Sequence, residues 1–218
     1  MNISRFIFFF VSIVMISCKS ENTGTVTQIP ENGDLTSTFT DQQTTQQPLS
    51  PEELLKQEKD RLIKEGWQES SLSNGSMPSC YNFVPDFDRS IDNYLIINVG
   101  SGTDVVAKLM NSNTGTCVRY VFINRSTSYT VRNIPEGKYY LKLAYGKEWL
   151  SKIENNQCVG RFLKNPLYEK GTDILDYNFI NETDGYSIPS YEISLDIVSS
   201  SVNNSFSTSN ISASEFNR

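Results

Sequence analysis

Residues 128–145 read Ser-Tyr-Thr-Val-Arg-Asn-Ile-Pro-Glu-Gly-Lys-Tyr-Tyr-Leu-Lys-Leu-Ala-Tyr, which is the pattern of two β-strands separated by a tight turn. Pro135 presets the φ angle that a turn needs, and Gly137 accepts a backbone conformation that strains other residues. After the turn, large apolar residues alternate with lysine and alanine. This alternation predicts that one face of the second strand packs against a core.

The same period-two pattern covers most of the chain from residue 94 onward. The predicted strands are 94–99, 104–110, 117–123, 129–133, 138–145, 174–180 and 191–198. In the last of them Tyr191, Ile193 and Leu195 alternate with polar residues, and clusters of glycine, asparagine, proline and serine separate the strands. Several short strands with turns between them predict a mostly β fold, an antiparallel two-sheet sandwich over residues 76–198.

The strand, aliphatic–Pro–x–Gly turn, strand unit of residues 128–145 resembles the same unit in transthyretin-like and carboxypeptidase-regulatory-like β-sandwich domains. This resemblance implies the same sandwich fold. It implies no single activity, because such sandwiches serve many roles.

One amphipathic helix is predicted over residues 50–66, ahead of the sandwich. Ser50 has the properties of an N-cap, Pro51 of a first helical residue, and Glu53 completes a capping box. Gly66 stands where a glycine commonly ends a helix. The narrow apolar stripe indicates that the helix docks onto the following domain.

A long connection, residues 146–173, separates two of the predicted strands and combines aromatic with basic side chains. Connections of this length are commonly functional, which makes the segment a candidate binding surface. The residues expected on it are Trp149, Arg161, Phe162 and Tyr168. An alternative is that the segment forms an extra hairpin, in which Trp149 and Phe162 belong to the core and the lysines face water.

The first eighteen residues have the features of a secretion signal. Arg5 precedes an apolar run over residues 6–16, and Ser17 stands directly before Cys18. The run is shorter than the ~20 residues that span a bilayer, so residues 1–17 are predicted to be a cleaved signal peptide. The polar residues 18–49 are predicted to be a disordered tether, and the Ser- and Asn-rich residues 199–218 a frayed tail.

The Ser17-Cys18 junction, with its preceding apolar run, resembles the lipobox of bacterial lipoproteins. In that family the chain is cut before the cysteine, so the resemblance implies that Cys18 is the lipidated first residue of the mature protein. It also implies a lipid-anchored protein of the bacterial cell envelope, placed here in the outer membrane. The lipid would attach the protein to the membrane as its first partner.

Composition excludes several function classes. The chain has 19 basic and 25 acidic residues, a net charge of −6 and no histidine. The acidic balance argues against nucleic-acid binding, which needs a basic surface. The absence of histidine removes the Ser-His and Cys-His nucleophile pairs and the histidine zinc sites, so we expect neither enzymatic activity nor a metal or other cofactor.

Three cysteines remain once Cys18 is assigned to lipid: Cys80, Cys117 and Cys158. Cysteines in the cell envelope can be oxidised, so one disulfide between two of them is expected, with the third left as a thiol. The sequence alone does not choose among the three pairings.

These features favour a non-catalytic binding or assembly module that contacts another envelope protein or an external ligand. The lipoprotein of the type VI secretion membrane complex has a similar anchor and sandwich, and this resemblance implies a secretion-system or surface-complex accessory. One alternative is a carbohydrate-binding protein, or a carbohydrate-active protein that uses paired carboxylates. Another is a purely structural surface lipoprotein.

Overall fold

The computed structural model describes residues 48–198 and 201–218. The predicted signal peptide, Cys18 and nearly all of the predicted tether lie outside these residues. The elements in chain order are α1 (Pro51–Lys64), β1 (Gln68–Glu69), β2 (Tyr94–Val99), β3 (Asp104–Asn111), β4 (Cys117–Ile123), β5 (Ser128–Arg132), β6 (Lys138–Glu154), β7 (Gln157–Gly171), β8 (Leu175–Asp176), β9 (Ile180–Glu182), β10 (Gly185–Ser187), β11 (Tyr191–Leu195), β12 (Ile197–Val198), β13 (Ser201–Val202), β14 (Thr208–Asn210) and α2 (Ala213–Asn217).

Two principal sheets face each other across the largest apolar cluster. The larger sheet has the order β14-β7-β6-β3-β4, with β1 and β8 also paired to β6, and the smaller sheet has the order β11-β2-β5. Leu95 and Ile97 from the smaller sheet pack in the same buried cluster as Leu109 and Leu143 from the larger sheet. The prediction of a mostly β fold built largely from antiparallel strands is therefore confirmed.

One strand pairing departs from the antiparallel expectation, because β11 runs parallel to β2 with Tyr191 beside Leu95. Parallel neighbours need a long connection instead of a hairpin turn. Here the chain builds β3 to β10 before it returns to β2, so no short turn constrains the direction of β11.

The Pro135–Gly137 turn carries the chain from one sheet to the other. The strand before it, β5, pairs with β2, whereas the strand after it, β6, pairs with β3. Tyr139 is buried, and its hydroxyl donates a 2.9 Å hydrogen bond to the carbonyl of Pro135. The turn is thus fixed from inside the sandwich, where Ile134 is also fully buried.

Helix α1 begins and ends close to the predicted residues. Ser50 is the N-cap, the reciprocal capping-box bonds with Glu53 are both present, and Gly66 has a positive φ of 88°. Leu62 is the buried residue of the helix and packs against Leu150 and Leu163. The helix therefore docks onto the domain through a single apolar contact region, as its narrow stripe predicted.

Strands β6 and β7 continue far beyond the predicted strand 138–145. They pair with each other as far as Glu154 and Gln157, and Asn155 and Asn156 close the hairpin with positive φ angles of 50° and 61°. An Asn-Asn pair suits such a two-residue turn. The segment 146–173 is thus mostly paired strand, a β6–β7 extension that protrudes beyond β3.

The predicted strand 174–180 is divided in the structure. Only Leu175–Asp176 joins the larger sheet, and Ile180–Glu182 instead pairs with Gly185–Ser187 in a separate two-stranded hairpin. Asp176 accepts hydrogen bonds from the backbone and side-chain amides of Asn178, which forms a turn and interrupts the strand.

The prediction of a frayed tail over residues 199–218 is wrong for its described part, residues 201–218. Strand β14 pairs with β7, and the side chain of Phe216 in α2 is fully buried. Asn204 donates hydrogen bonds of 2.9 Å to the buried carboxylate of Glu169 and to the hydroxyl of Tyr145. The tail was mispredicted because its few apolar residues have no regular period, although each fills a gap between elements distant in sequence.

Candidate functional site

The structure does not place the four residues predicted as a binding surface on one open surface. Trp149 and Phe162 are 3% and 0% exposed and belong to the core, whereas Tyr168 is 9% exposed and packs in the core while it also borders a cleft. Trp149 and Phe162 are cross-strand partners, with ring centroids 4.8 Å apart in an edge-to-face arrangement. The hairpin alternative is therefore the correct interpretation of residues 146–173.

Gly160 explains why the Trp149 indole can lie flat against the hairpin. A Cβ atom at Gly160 would overlap the six-membered part of the indole ring. The side-chain amide of Asn217 covers the outer edge of the same residue, accepting from the backbone N–H of Gly160 and donating to its carbonyl. Helix α2 thus occupies a strand edge that would otherwise have unpaired backbone groups.

Arg161 is the only one of the four residues with substantial exposure. Its guanidinium lies 3.9 Å from the carboxylate of Glu58 and 5.9 Å from the ring of Trp67. Lys152 lies 4.9 Å from the centroid of the same ring. Arg161 and Lys152 therefore pack around helix α1 and Trp67.

Three adjacent clefts surround the turn of the β6–β7 extension, and we call them the hairpin-tip clefts. Their volumes are about 670, 450 and 420 Å³. Cys80 lines the first and third, and Gln157 and Asn217 line the second and third. These volumes fall in the range of ligand sites.

The first two hairpin-tip clefts differ in chemistry. The largest is rich in hydroxyl groups, supplied by Ser70, Ser71, Ser73, Ser76, Ser79 and Ser151. The second combines two aromatic residues, Trp67 and Tyr168, with the amides of Gln157 and Asn217. Of the residues predicted for a binding surface, Arg161 and Tyr168 line the second cleft. The rest of the lining was not predicted, because much of it comes from the segment after α1 and from α2, which only the fold brings beside the extension.

A disulfide joins Cys80 to Cys158 at the centre of this region, with the two Cα atoms 5.5 Å apart. It ties the segment before β2 to the tip of the extension. Cys117 remains a thiol, and burial raises its pKa to about 11. A thiol with so high a pKa is protonated at neutral pH and is a poor nucleophile.

Two lysines are buried on the outer face of the larger sheet, a feature that the sequence pattern did not indicate. Lys108 and Lys142 are neighbours across β3 and β6, and are 2% and 7% exposed. Lys108 donates a 2.7 Å hydrogen bond to the carbonyl of Phe216, and Lys142 donates one of the same length to the carbonyl of Glu215. The two lysines thus satisfy carbonyls of α2 and hold that helix against the sheet.

Lys108 also lies close to the faces of three aromatic rings. Its ammonium is 4.6 Å from the centroid of Phe216, 5.3 Å from that of Tyr120 and 5.8 Å from that of Tyr81. Burial lowers the pKa of Lys108, Cys117 opposes this shift and the charge of Lys142 adds to it, so that the pKa is about 8. The charged lysine is therefore costly to bury although its donors and ring contacts are well placed.

We expect the free energy of unfolding to rise with pH because of Lys108. An unfolded lysine titrates near 10.4, so between about pH 8 and 10.4 the unfolded chain binds more protons at this site than the folded chain. The burial cost of the charged form is fully present below pH 8 and is lost above 10.4. Between pH 7.5 and 10.5, the free energy of unfolding measured with urea should rise by roughly 3 kcal/mol more for the wild type than for Lys108→Met.

Comparison with Lys108→Met cancels other groups that titrate in the same pH range. The raised pKa values of the buried tyrosines oppose the lysine contribution and remain in both proteins. The charge of Lys108 lowers the pKa of Cys117, so this thiol would have a still higher pKa in the variant, which widens the expected difference. If the free energy of unfolding depended on pH in the same way for the two proteins, the pKa of Lys108 would not be significantly lowered by folding.

The clefts offer little for catalysis by paired carboxylates. Glu69 is the acid that lines the first hairpin-tip cleft and Glu154 the acid that lines the second, while the third has none. Glycoside hydrolysis commonly uses two facing acids. Residues 48–198 and 201–218 also contain no group of three or more Cys, Asp or Glu side chains placed to hold a metal ion.

No family model, curated protein or solved structure matches the chain. Within the described residues, neither helix has the length and apolarity that crossing a bilayer requires.

Proposed function

We propose that this protein is a lipid-anchored lipoprotein of the bacterial envelope whose β-sandwich is a non-catalytic binding or assembly module. The hairpin-tip clefts are its proposed binding face. The observation that carries the proposal is the disulfide between Cys80 and Cys158, because it cross-links the walls of the first and third clefts at the tip of one protruding hairpin.

The disulfide also supports the proposed location in the cell envelope. Disulfides form and persist in secreted and envelope proteins and are rare in reducing cytosol. This agrees with the apolar run of residues 6–16 and the cysteine at position 18. In this proposal, acyl chains at Cys18 hold the protein in the outer membrane, and the polar residues before Ser50 separate the sandwich from the lipid.

Rigidity supports binding at the tip. The extension is covered on one face by α1, through Leu62 and Leu150, and on the other by α2, through Phe216 and Trp149. A partner therefore meets a preformed surface and loses little free energy in ordering it. Ile153, which is 67% exposed, presents an apolar side chain at the rim of the largest cleft.

A photo-cross-linking amino acid at Ile153 should give a specific adduct with another envelope protein in intact cells. The matched control is the same amino acid at Asn113, an exposed position in the β3–β4 turn at the opposite end of the sheet. We expect at least a tenfold stronger adduct at Ile153, measured by immunoblot and identified by mass spectrometry. Equal labelling at both positions, or none at Ile153, would contradict a protein partner at the tip.

Carbohydrate binding is a second candidate function, favoured by the second hairpin-tip cleft. Trp67 and Tyr168 provide aromatic surface, and Gln157 and Asn217 provide amides that donate and accept hydrogen bonds. Pockets with apolar walls and a few polar groups hold small ligands in a fixed orientation. An Ile153 adduct that carries polysaccharide instead of protein would favour this candidate.

A further inference from the structure

A fourth cleft lies at the side of the sandwich, away from the hairpin tip. It has a volume of about 320 Å³ and is bounded by β4, by β5 and by the segment that connects β1 to β2. Strand β4 is the last strand of the larger sheet and β5 is the last strand of the smaller one. The cleft therefore occupies the gap where the two sheets end, and we call it the Arg119 cleft.

Arg119 lines this cleft and is only 4% exposed. One terminal nitrogen donates to the carbonyls of Asp86 and Val118, the latter at 2.8 Å. The other donates to the carbonyls of Arg132 and Asn133, at 3.2 and 2.9 Å. The fifth N–H, on Nε, is buried and has no hydrogen-bond partner.

The positive charge of Arg119 lacks a carboxylate in direct contact. Within the described part of the chain, none of its ion pairs involves Arg119, and no aspartate or glutamate lines the cleft. Asp86 attracts the guanidinium from a distance, yet burial still lowers the pKa of Arg119. Buried charges in proteins are usually paired, so this unpaired one is unusual.

The surroundings of the guanidinium strengthen its attraction for an anion. Arg132 also lines the cleft, so its two charged residues are both cationic although the chain as a whole is acidic. Met77, Tyr120 and Val131 contribute apolar wall. A cleft that has charges of one sign and walls of low polarity concentrates their field on a ligand.

Phe87 covers the guanidinium. Its ring centroid lies 4.0 Å from the Cζ atom of Arg119, and the residue is 50% exposed. The ring stands in a connecting segment, so its outer face contacts water. Movement of this one side chain would uncover the guanidinium without breaking a strand pairing.

We propose that the Arg119 cleft binds a small carboxylate that has an apolar body. The carboxylate would neutralise the buried guanidinium and accept a hydrogen bond from the Nε–H of Arg119, while the apolar body would contact Met77 and Val131. The cleft volume, near the lower limit for ligand sites, restricts the ligand to a small molecule or a single terminal residue of a chain. This inference concerns a different site from the hairpin-tip clefts and does not depend on the lipid anchor.

The test uses 3-phenylpropanoate as the probe and 3-phenylpropanamide as its neutral counterpart of the same shape. Both are titrated into the purified full-length protein, and binding is followed by NMR chemical-shift changes. We expect saturable binding of the carboxylate, at least tenfold tighter than that of the amide, with the shifts centred on β4 and β5. Equal affinities, or no saturation by the carboxylate, would overturn the proposal and leave Arg119 as a structural clamp.

Variants show which cleft binds the probe and separate a loss of binding from a loss of folding. Arg119→Met should abolish carboxylate binding, but the loss of four hydrogen bonds could also unfold the protein. Arg132→Gln changes an exposed residue and should weaken binding of the probe several-fold while the fold is retained. Arg125→Gln is the matched control, because Arg125 is half-exposed and does not line the cleft. An equal effect of Arg132→Gln and Arg125→Gln would contradict the assignment to this cleft.

Discussion

Replacing Cys18 by serine should move nearly all of the protein from the membrane fraction to the soluble fraction. In the proposed anchor a thioether at position 18 carries the lipid, and a serine hydroxyl cannot form one, so the variant would lack all of the acyl chains. Each buried methylene contributes ~0.8 kcal/mol to membrane binding, and stable anchoring requires more than one chain. The chain has a net charge of −6, so electrostatic attraction to anionic lipids would not compensate.

The measurement is fractionation of cells that express the wild-type or Cys18→Ser protein, with incorporation of labelled palmitate as a second readout. Cys117→Ser is the matched control, because it removes a cysteine from the described domain without affecting the predicted lipid site. We expect this control to remain in the membrane fraction and to take up label. Retention of unlabelled Cys18→Ser protein in the membrane fraction would refute the lipid anchor.

Removing the disulfide should produce the largest loss of stability. Cys80 and Cys158 are 78 residues apart, and closing a loop of that length in the unfolded chain is worth roughly 4–5 kcal/mol in the chain-entropy model. The double variant Cys80→Ser/Cys158→Ser should lose most of this free energy of unfolding. Because domains have only 5–15 kcal/mol in total, the loss should also lower the melting temperature strongly.

Urea unfolding with and without reductant distinguishes the cross-link from the side chains themselves. Wild-type protein should lose stability when reduced, whereas the double variant should not respond to reductant. Cys117→Ser again serves as the control, with an expected cost of about 1 kcal/mol, as for an average substitution. If the double variant and oxidised wild type were equally stable, the disulfide would not constrain the native protein.

The same double variant tests whether the hairpin-tip clefts depend on the cross-link. Without it, the segment around Cys80 is no longer tied to the tip of the extension, so the walls of the first and third clefts can separate. The Ile153 cross-link should weaken in parallel with the loss of stability. An unchanged adduct would indicate that the partner contacts the extension alone.

Local signals in the sequence determined the elements that depend on neighbouring residues. The Ser50–Glu53 capping box fixed the start of α1, because its hydrogen bonds join residues three apart. Short runs of β-branched, aliphatic and aromatic residues, bounded by turn residues, located β2 and β4 to the residue, because strand propensity and turn signals are local properties. The mostly β fold followed from these patterns.

The tertiary structure decided everything that depends on residues far apart in the chain. Trp149 and Phe162 could have been a surface or a core, and their pairing across the extended hairpin buried them. Which cysteines pair, and which lysines α2 covers, likewise depend on how distant segments meet. A pattern of apolar residues shows that a side chain can be buried, but only the long-range packing shows what covers it.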